Sequence, residues 1–156
     1  MTPEKVADYP RPPRLEVSTD HVLVRIGGEV LFDGTGCQRV LETFHPPTYY
    51  LPPAFTNQKL LTPAAGRSFC EWKGIAEYFD VMAGGRRVHR AVWRYPSPTA
   101  SFQTIAGWFA LYPGLMDGCW INGEEVIAQP GGFYGGWISS AVEGPFKGDP
   151  RHPELI

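Results

Sequence analysis

Apolar and polar positions alternate along the chain in short runs, and each run ends at Gly, Pro or Asn. His21-Val22-Leu23-Val24-Arg25-Ile26 alternates, Gly27-Gly28 interrupts, and Glu29-Val30-Leu31-Phe32-Asp33 resumes. Phe69 to Tyr78 and Val88 to Tyr95 repeat the scheme about Gly84-Gly85, and Cys119 to Ile127 repeats it about Asn122-Gly123. A period of two marks a strand, and Gly-Gly or Asn-Gly supplies the positive φ at both central positions of a two-residue hairpin turn. Gln38 to Phe44 is a further strand, with Val40, Glu42 and Phe44 on one face and Arg39, Leu41 and Thr43 on the other. One segment breaks the pattern: Phe102, Ile105, Ala106 and Phe109 follow helical spacing before Pro113-Gly114, which predicts an α-helix over about 99–112 with Thr99 or Ser101 as its cap. Thr62 to Arg67 reads as a loop. The expected fold is mainly β, a single domain of two antiparallel sheets built from hairpins, with that one helix.

The hairpin at Gly84-Gly85 holds the most chemistry. A two-residue turn there sets Tyr78 opposite Ala91, Ala76 opposite Trp93 and Gly74 opposite Tyr95. One face then carries Trp72, Gly74, Ala76 and Tyr78 against Ala91, Trp93 and Tyr95, large rings around two very small residues. Such a face either walls a hollow for a small apolar or planar ligand or receives an incoming loop as ordinary core. Gly74 within a strand marks a bulge or a close approach by another segment; with a bulge, Lys73 turns into the hollow and Trp72 out of it. In His45-Pro46-Pro47-Thr48-Tyr49-Tyr50-Leu51-Pro52-Pro53 the prolines enforce an extended course, so Tyr49 and Tyr50 point to opposite sides and one of them faces the hollow.

Composition adds boundaries. The chain has 156 residues, 43% hydrophobic, with 18 glycines and 16 prolines, which suits one loop-rich domain of short strands. Residues 1–13 read as a polar, proline-rich arm, 14–129 as the domain body, and 130–156 as a tail rich in Gly and aromatic residues that docks on the body or on a partner subunit. The formal charge of −2 gives no electrostatic footprint for nucleic acid, and no apolar run approaches the length of a membrane span. Cys37, Cys70 and Cys119 are odd in number and widely spaced, which fits a reducing, cytoplasmic setting.

Arg14-Leu15-Glu16-Val17-Ser18, Val40-Leu41-Glu42-Thr43, His45-Pro46-Pro47, Tyr49-Tyr50-Leu51-Pro52-Pro53, Cys70-Glu71-Trp72-Lys73-Gly74, Ala91-Val92-Trp93 and Tyr95-Pro96 together resemble domain of unknown function family 427. The resemblance spans about residues 14–127. It implies a β-tent-like fold, two antiparallel sheets leaning together with one helix, and no established activity. Its motif positions here are Glu42, Tyr49, Tyr50, Cys70, Trp72, Lys73, Trp93 and Tyr95. A label attached to that family suggests nucleotidyl transfer, but this sequence has neither a Gly-rich phosphate loop before a helix nor an Asp-x-Asp metal pair.

Three functions are open. The preferred one is a small-molecule-binding domain without a cofactor, its pocket walled by Trp72, Trp93, Tyr95 and Tyr49 or Tyr50, with Glu42 and Lys73 as polar anchors. The second is an enzyme using Cys70, whose thiol a nearby Lys73 would activate, or a Glu42/Lys73 acid–base pair; the plainer readings are a buried structural cysteine and a structural ion pair. The third is a homodimer completed by the tail. No metal is expected, because His21, His45, His89 and His152 lack ligand spacing and no Cys-x-x-Cys occurs.

Overall fold

A computed structural model describes residues 2–155. Its strands are β1 (Glu4–Lys5), β2 (Arg14–Val17), β3 (Val22–Ile26), β4 (Glu29–Gly34), β5 (Gln38–Leu41), β6 (Thr48–Tyr50), β7 (Leu61–Cys70), β8 (Gly74–Ala83), β9 (Arg86–Arg94), β10 (Phe109–Leu111), β11 (Gly118–Ile121), β12 (Glu124–Glu125), β13 (Ile127–Ala128), β14 (Trp137–Ile138) and β15 (Val142–Glu143). The fold is mainly β and its sheets are antiparallel, apart from the short parallel pair β1–β15.

Two four-stranded sheets dominate, β10-β9-β8-β7 and β12-β11-β3-β4. Val24, Ile26, Phe32 and Ile121 of the second pack with Val81, Val92 and Leu111 of the first in one shared core. The opposite face of the β10-β9-β8-β7 sheet is also covered. There Ala76, Trp93 and Ala110 meet Val40 and Tyr50 of a three-stranded sheet, β2-β5-β6. Leu51 and Phe109 exchange backbone hydrogen bonds of 2.7 and 3.1 Å, which stitches this small sheet to β10.

All three predicted turns form with left-handed φ at both central residues: 58° and 78° at Gly27-Gly28, 59° and 76° at Gly84-Gly85, and 50° and 82° at Asn122-Gly123. The first two touch tip to tip. A Cβ on Gly27 would lie 2.5 Å from the Ala83 carbonyl oxygen, and one on Gly84 would strike the Gly27 carbonyl oxygen. Asp117 accepts the Gly28 N–H at 2.8 Å and braces the pair.

Four expectations are corrected. The long helix is a short one: Ala100–Ile105 forms 3-10 turns, kinked at Phe102, Gly107 takes φ 77°, and Phe109–Leu111 joins β9 as a strand. Phe102 and Ile105 are buried as their spacing implied, but Phe109, Ala110 and Leu111 are all buried, and a short apolar run of that kind carries no period to separate helix from strand. Thr99 caps nothing; its hydroxyl bonds the Trp72 carbonyl at 2.6 Å. Residues 62–67 belong to β7, with a register break between Pro63 and Arg67. Glu71, Trp72 and Lys73 form the turn between β7 and β8, so the stretch from Phe69 to Tyr78 is two strands.

The β8–β9 register also differs. Ala83 opposes Arg86 as expected, but beyond a bulge Tyr78 opposes Trp93 in place of Ala91. Arg90 sits there at φ 51°, and Asp80 holds the bulge by accepting the Arg90 N–H and an Arg87 guanidinium N–H, both at 2.9 Å. A one-residue slip would turn the rings to the other face, whereas this two-residue offset leaves them where alternation put them.

Candidate functional site

The rings enclose a hollow of about 620 Å³. Tyr78 from β8, Trp93 from β9, Tyr95 beyond it and Tyr112 after β10 form its floor, and Val40, Glu42, Thr48 and Tyr50 line it from β5, β6 and the chain between them. Cys70 at the end of β7 and Trp72 and Lys73 of the β7–β8 turn add to the lining, and the remaining side is closed by Gln129 together with Tyr134, Gly135 and Lys147 of the tail. Trp93 from the sheet and Trp72 from the turn therefore border the same open space.

Each wall is held by neighbours. The turn is pinned by Thr99, whose N–H donates to the Lys73 carbonyl at 3.2 Å while its hydroxyl takes the Trp72 carbonyl. Gly74 leaves the turn at φ 102°, and the Ser97-Pro98 backbone passes 3.5 Å from where its Cβ would be, the close approach its place in a strand implied. Trp93 stacks at a tilt on Tyr112, centroids 4.7 Å apart, and Tyr50 lies 6.5 Å from Tyr95. Gly135 is bare because a Cβ there would strike the Trp93 ring and sit 3.0 Å from the Leu111 carbonyl oxygen.

The expected site residues divide. Tyr50, Trp72, Lys73, Trp93, Tyr95, Cys70 and Glu42 all line the hollow. Tyr49 does not. It points into the other core, 4.8 Å from the Trp137 ring, with its hydroxyl donating to Asp20 at 3.2 Å. Glu42 and Lys73 both reach the hollow but form no ion pair with each other. Glu42 lies 3.7 Å from Arg11 and 3.7 Å from His45 Nε2, while the Lys73 ammonium rests near the faces of Tyr95 and Phe102, at 5.9 and 5.8 Å. Cys70 is half-buried at the hollow, whereas Cys37 and Cys119 are buried and burial pushes both thiols up to about 12.

One polar cluster was missed from the sequence. Gln129, 5% exposed, accepts the Gly136 N–H through Oε1. That fixes its amide, whose nitrogen donates to the Lys147 carbonyl at 2.9 Å and to His45 Nδ1 at 3.1 Å. His45 therefore accepts at Nδ1 and, when neutral, carries its proton on Nε2, the nitrogen facing Glu42. Burial holds its pKa below the ordinary imidazole range; Lys147 and Arg11 act the same way and Glu42 opposes them. The only advance sign was the stiff His45-Pro46-Pro47 segment, because nothing in the chain announces a partner 84 residues away. Burial also raises the Tyr50 and Tyr95 phenols, and Tyr112 to about 12, so these hydroxyls are neutral hydrogen-bond donors at physiological pH.

Among the described residues no cluster of three or more His, Cys, Asp or Glu side chains could hold a metal, and no helix is long and apolar enough to cross a membrane. The hollow is bordered by aromatic rings, neutral phenols and two ammonium groups.

Fold and hollow thus define a mainly β domain organised around an aromatic-walled cavity. The chain belongs to the family described as domain of unknown function (DUF427), whose profile matches residues 14–122. A comparison with curated proteins found no match. The matched span carries Glu42, Tyr50, Cys70, Trp72, Lys73, Trp93 and Tyr95, while the wall from Gln129 to Lys147 lies beyond it.

Proposed function

We propose that this protein is a binding domain for a small molecule with a planar or apolar body, held in the hollow between Trp72, Trp93, Tyr50 and Tyr95. The observation that carries this reading is the open volume bordered by two tryptophans, one from the turn and one from a sheet that is otherwise packed on both faces. A volume of about 620 Å³ falls within the size range of small-molecule sites, which are mostly apolar walls with a few placed polar groups. Water in such a space gains little from ring faces, so a flat ligand displacing it recovers apolar burial and stacking.

Intrinsic fluorescence tests it, because two of the five tryptophans border the hollow. A panel of small aromatic and heterocyclic metabolites should include compounds that shift or quench the emission, with most of the change lost in Trp93→Phe. If no compound moves either the emission or the thermal midpoint, the reading fails.

A further inference from the structure

We propose that the ligand of this hollow is a planar anion, and that Lys73 is the anchor for its carboxylate or phosphate group. The inference rests on the binding reading above and adds the charge of what is bound.

Lys73 is 9% exposed, yet among the described residues no carboxylate lies within ion-pairing distance of its ammonium and no acceptor takes its protons. Its ammonium lies near two ring faces, Tyr95 at 5.9 Å and Phe102 at 5.8 Å. The ammonium meets the solvent of the hollow and not a carboxylate, beside ring faces that attract a cation, so it is open to an anion brought in by a ligand. The fold fixes the group there: Thr99 holds the turn through the carbonyls of both Trp72 and Lys73. A surface lysine would have swung its flexible stem out to water.

The remaining charges point the same way. Glu71 lies on the same turn but is exposed at the rim. Glu42, the acid deepest in the hollow, is already placed between Arg11 and His45. The second ammonium, Lys147, lies over the Tyr134 ring at 5.6 Å and has no carboxylate partner among the described residues. The lining therefore holds two ammonium groups with no carboxylate partner among the described residues, while of its two acids one is engaged and the other stands at the rim, beside neutral phenols that donate hydrogen bonds. An anionic group on a flat body supplies what Lys73 lacks, and its desolvated bond to an ammonium would be of the stronger, charge-assisted kind.

Calorimetric titration with three probes tests this: naphthalene-2-carboxylate, 2-naphthyl phosphate and the neutral naphthalene-2-carboxamide. At least one anion should bind about tenfold or more tightly than the carboxamide, and the stronger of the two tells carboxylate from phosphate. Lys73→Met should abolish that preference while leaving carboxamide binding in place, and Lys147→Gln should keep the preference. Equal binding of anion and amide, a preference that survives Lys73→Met, or its loss in Lys147→Gln alone would each overturn the assignment. Amide binding without anion preference leaves the binding reading standing; if no probe binds and no panel compound alters the fluorescence, both fall together.

Discussion

At the scale of single residues, His45 shows how neighbours decide a proton. Gln129 can only donate to Nδ1, since its oxygen is already taken by Gly136. Protonating the imidazole would desolvate a charge and set donor against donor at Gln129, next to Lys147 and Arg11, with Glu42 in favour and Tyr134 edge-on to the ring. The folded pKa is lowered, so the unfolded chain takes up the proton first as pH falls. Stability from this site is therefore present above the ordinary histidine range and is lost as pH drops through the folded value. Urea midpoints measured from about pH 7 down to about pH 5 should fall more steeply for wild type than for His45→Gln. Parallel curves would show that His45 does not titrate as its surroundings demand.

At the scale of elements, the two Gly-Gly turns differ from free hairpin tips because they are pressed together. Both central glycines of each turn need positive φ, but only one in each pair also needs the absence of a Cβ. Gly85 has open space around it, whereas a side chain at Gly84 meets the Gly27 backbone. Gly85→Ala should cost about 1–2 kcal/mol from φ alone. Gly84→Ala should cost at least about twice that, since backbone on the far side cannot move aside as a side chain would. Chemical denaturation measures both, and equal costs would mean the tips separate freely. The helix at 99–112 failed at this same scale. Its apolar spacing was real for Phe102 and Ile105, but from Gly107 onward the chain gains more by pairing with β9 and burying both faces of Phe109–Leu111 than by continuing a helix.

At the scale of the molecule, both chain ends are tied into the body. β1 pairs with β15, and Glu4 and Glu16 converge on the nearly buried Arg39. Trp137, 1% exposed, stands in the shared core against Tyr49. Trp137→Ala should therefore cost about 3–5 kcal/mol, read from urea unfolding. Removing 130–156 should lower stability at least as much and open the hollow, since Tyr134, Gly135 and Lys147 form much of one wall. Light scattering on the same truncated chain reports whether the tail also holds two copies together. A truncation that melts like wild type would show that the core does not depend on the tail.

Local chemistry in the sequence determined the three tight turns, the strands that flank them and the gathering of Tyr78, Trp93 and Tyr95 on one side, because alternation and positive-φ turn residues act within a few positions. It also placed Tyr49 and Tyr50 on opposite sides, without saying which faced the hollow. The tertiary structure alone decided that Tyr50 does, that Lys73 is buried without a carboxylate, that Gln129 orients His45, and that a glycine of the tail lies on Trp93. Those outcomes depend on segments brought together from far along the chain, and their contacts leave no periodic trace in the sequence.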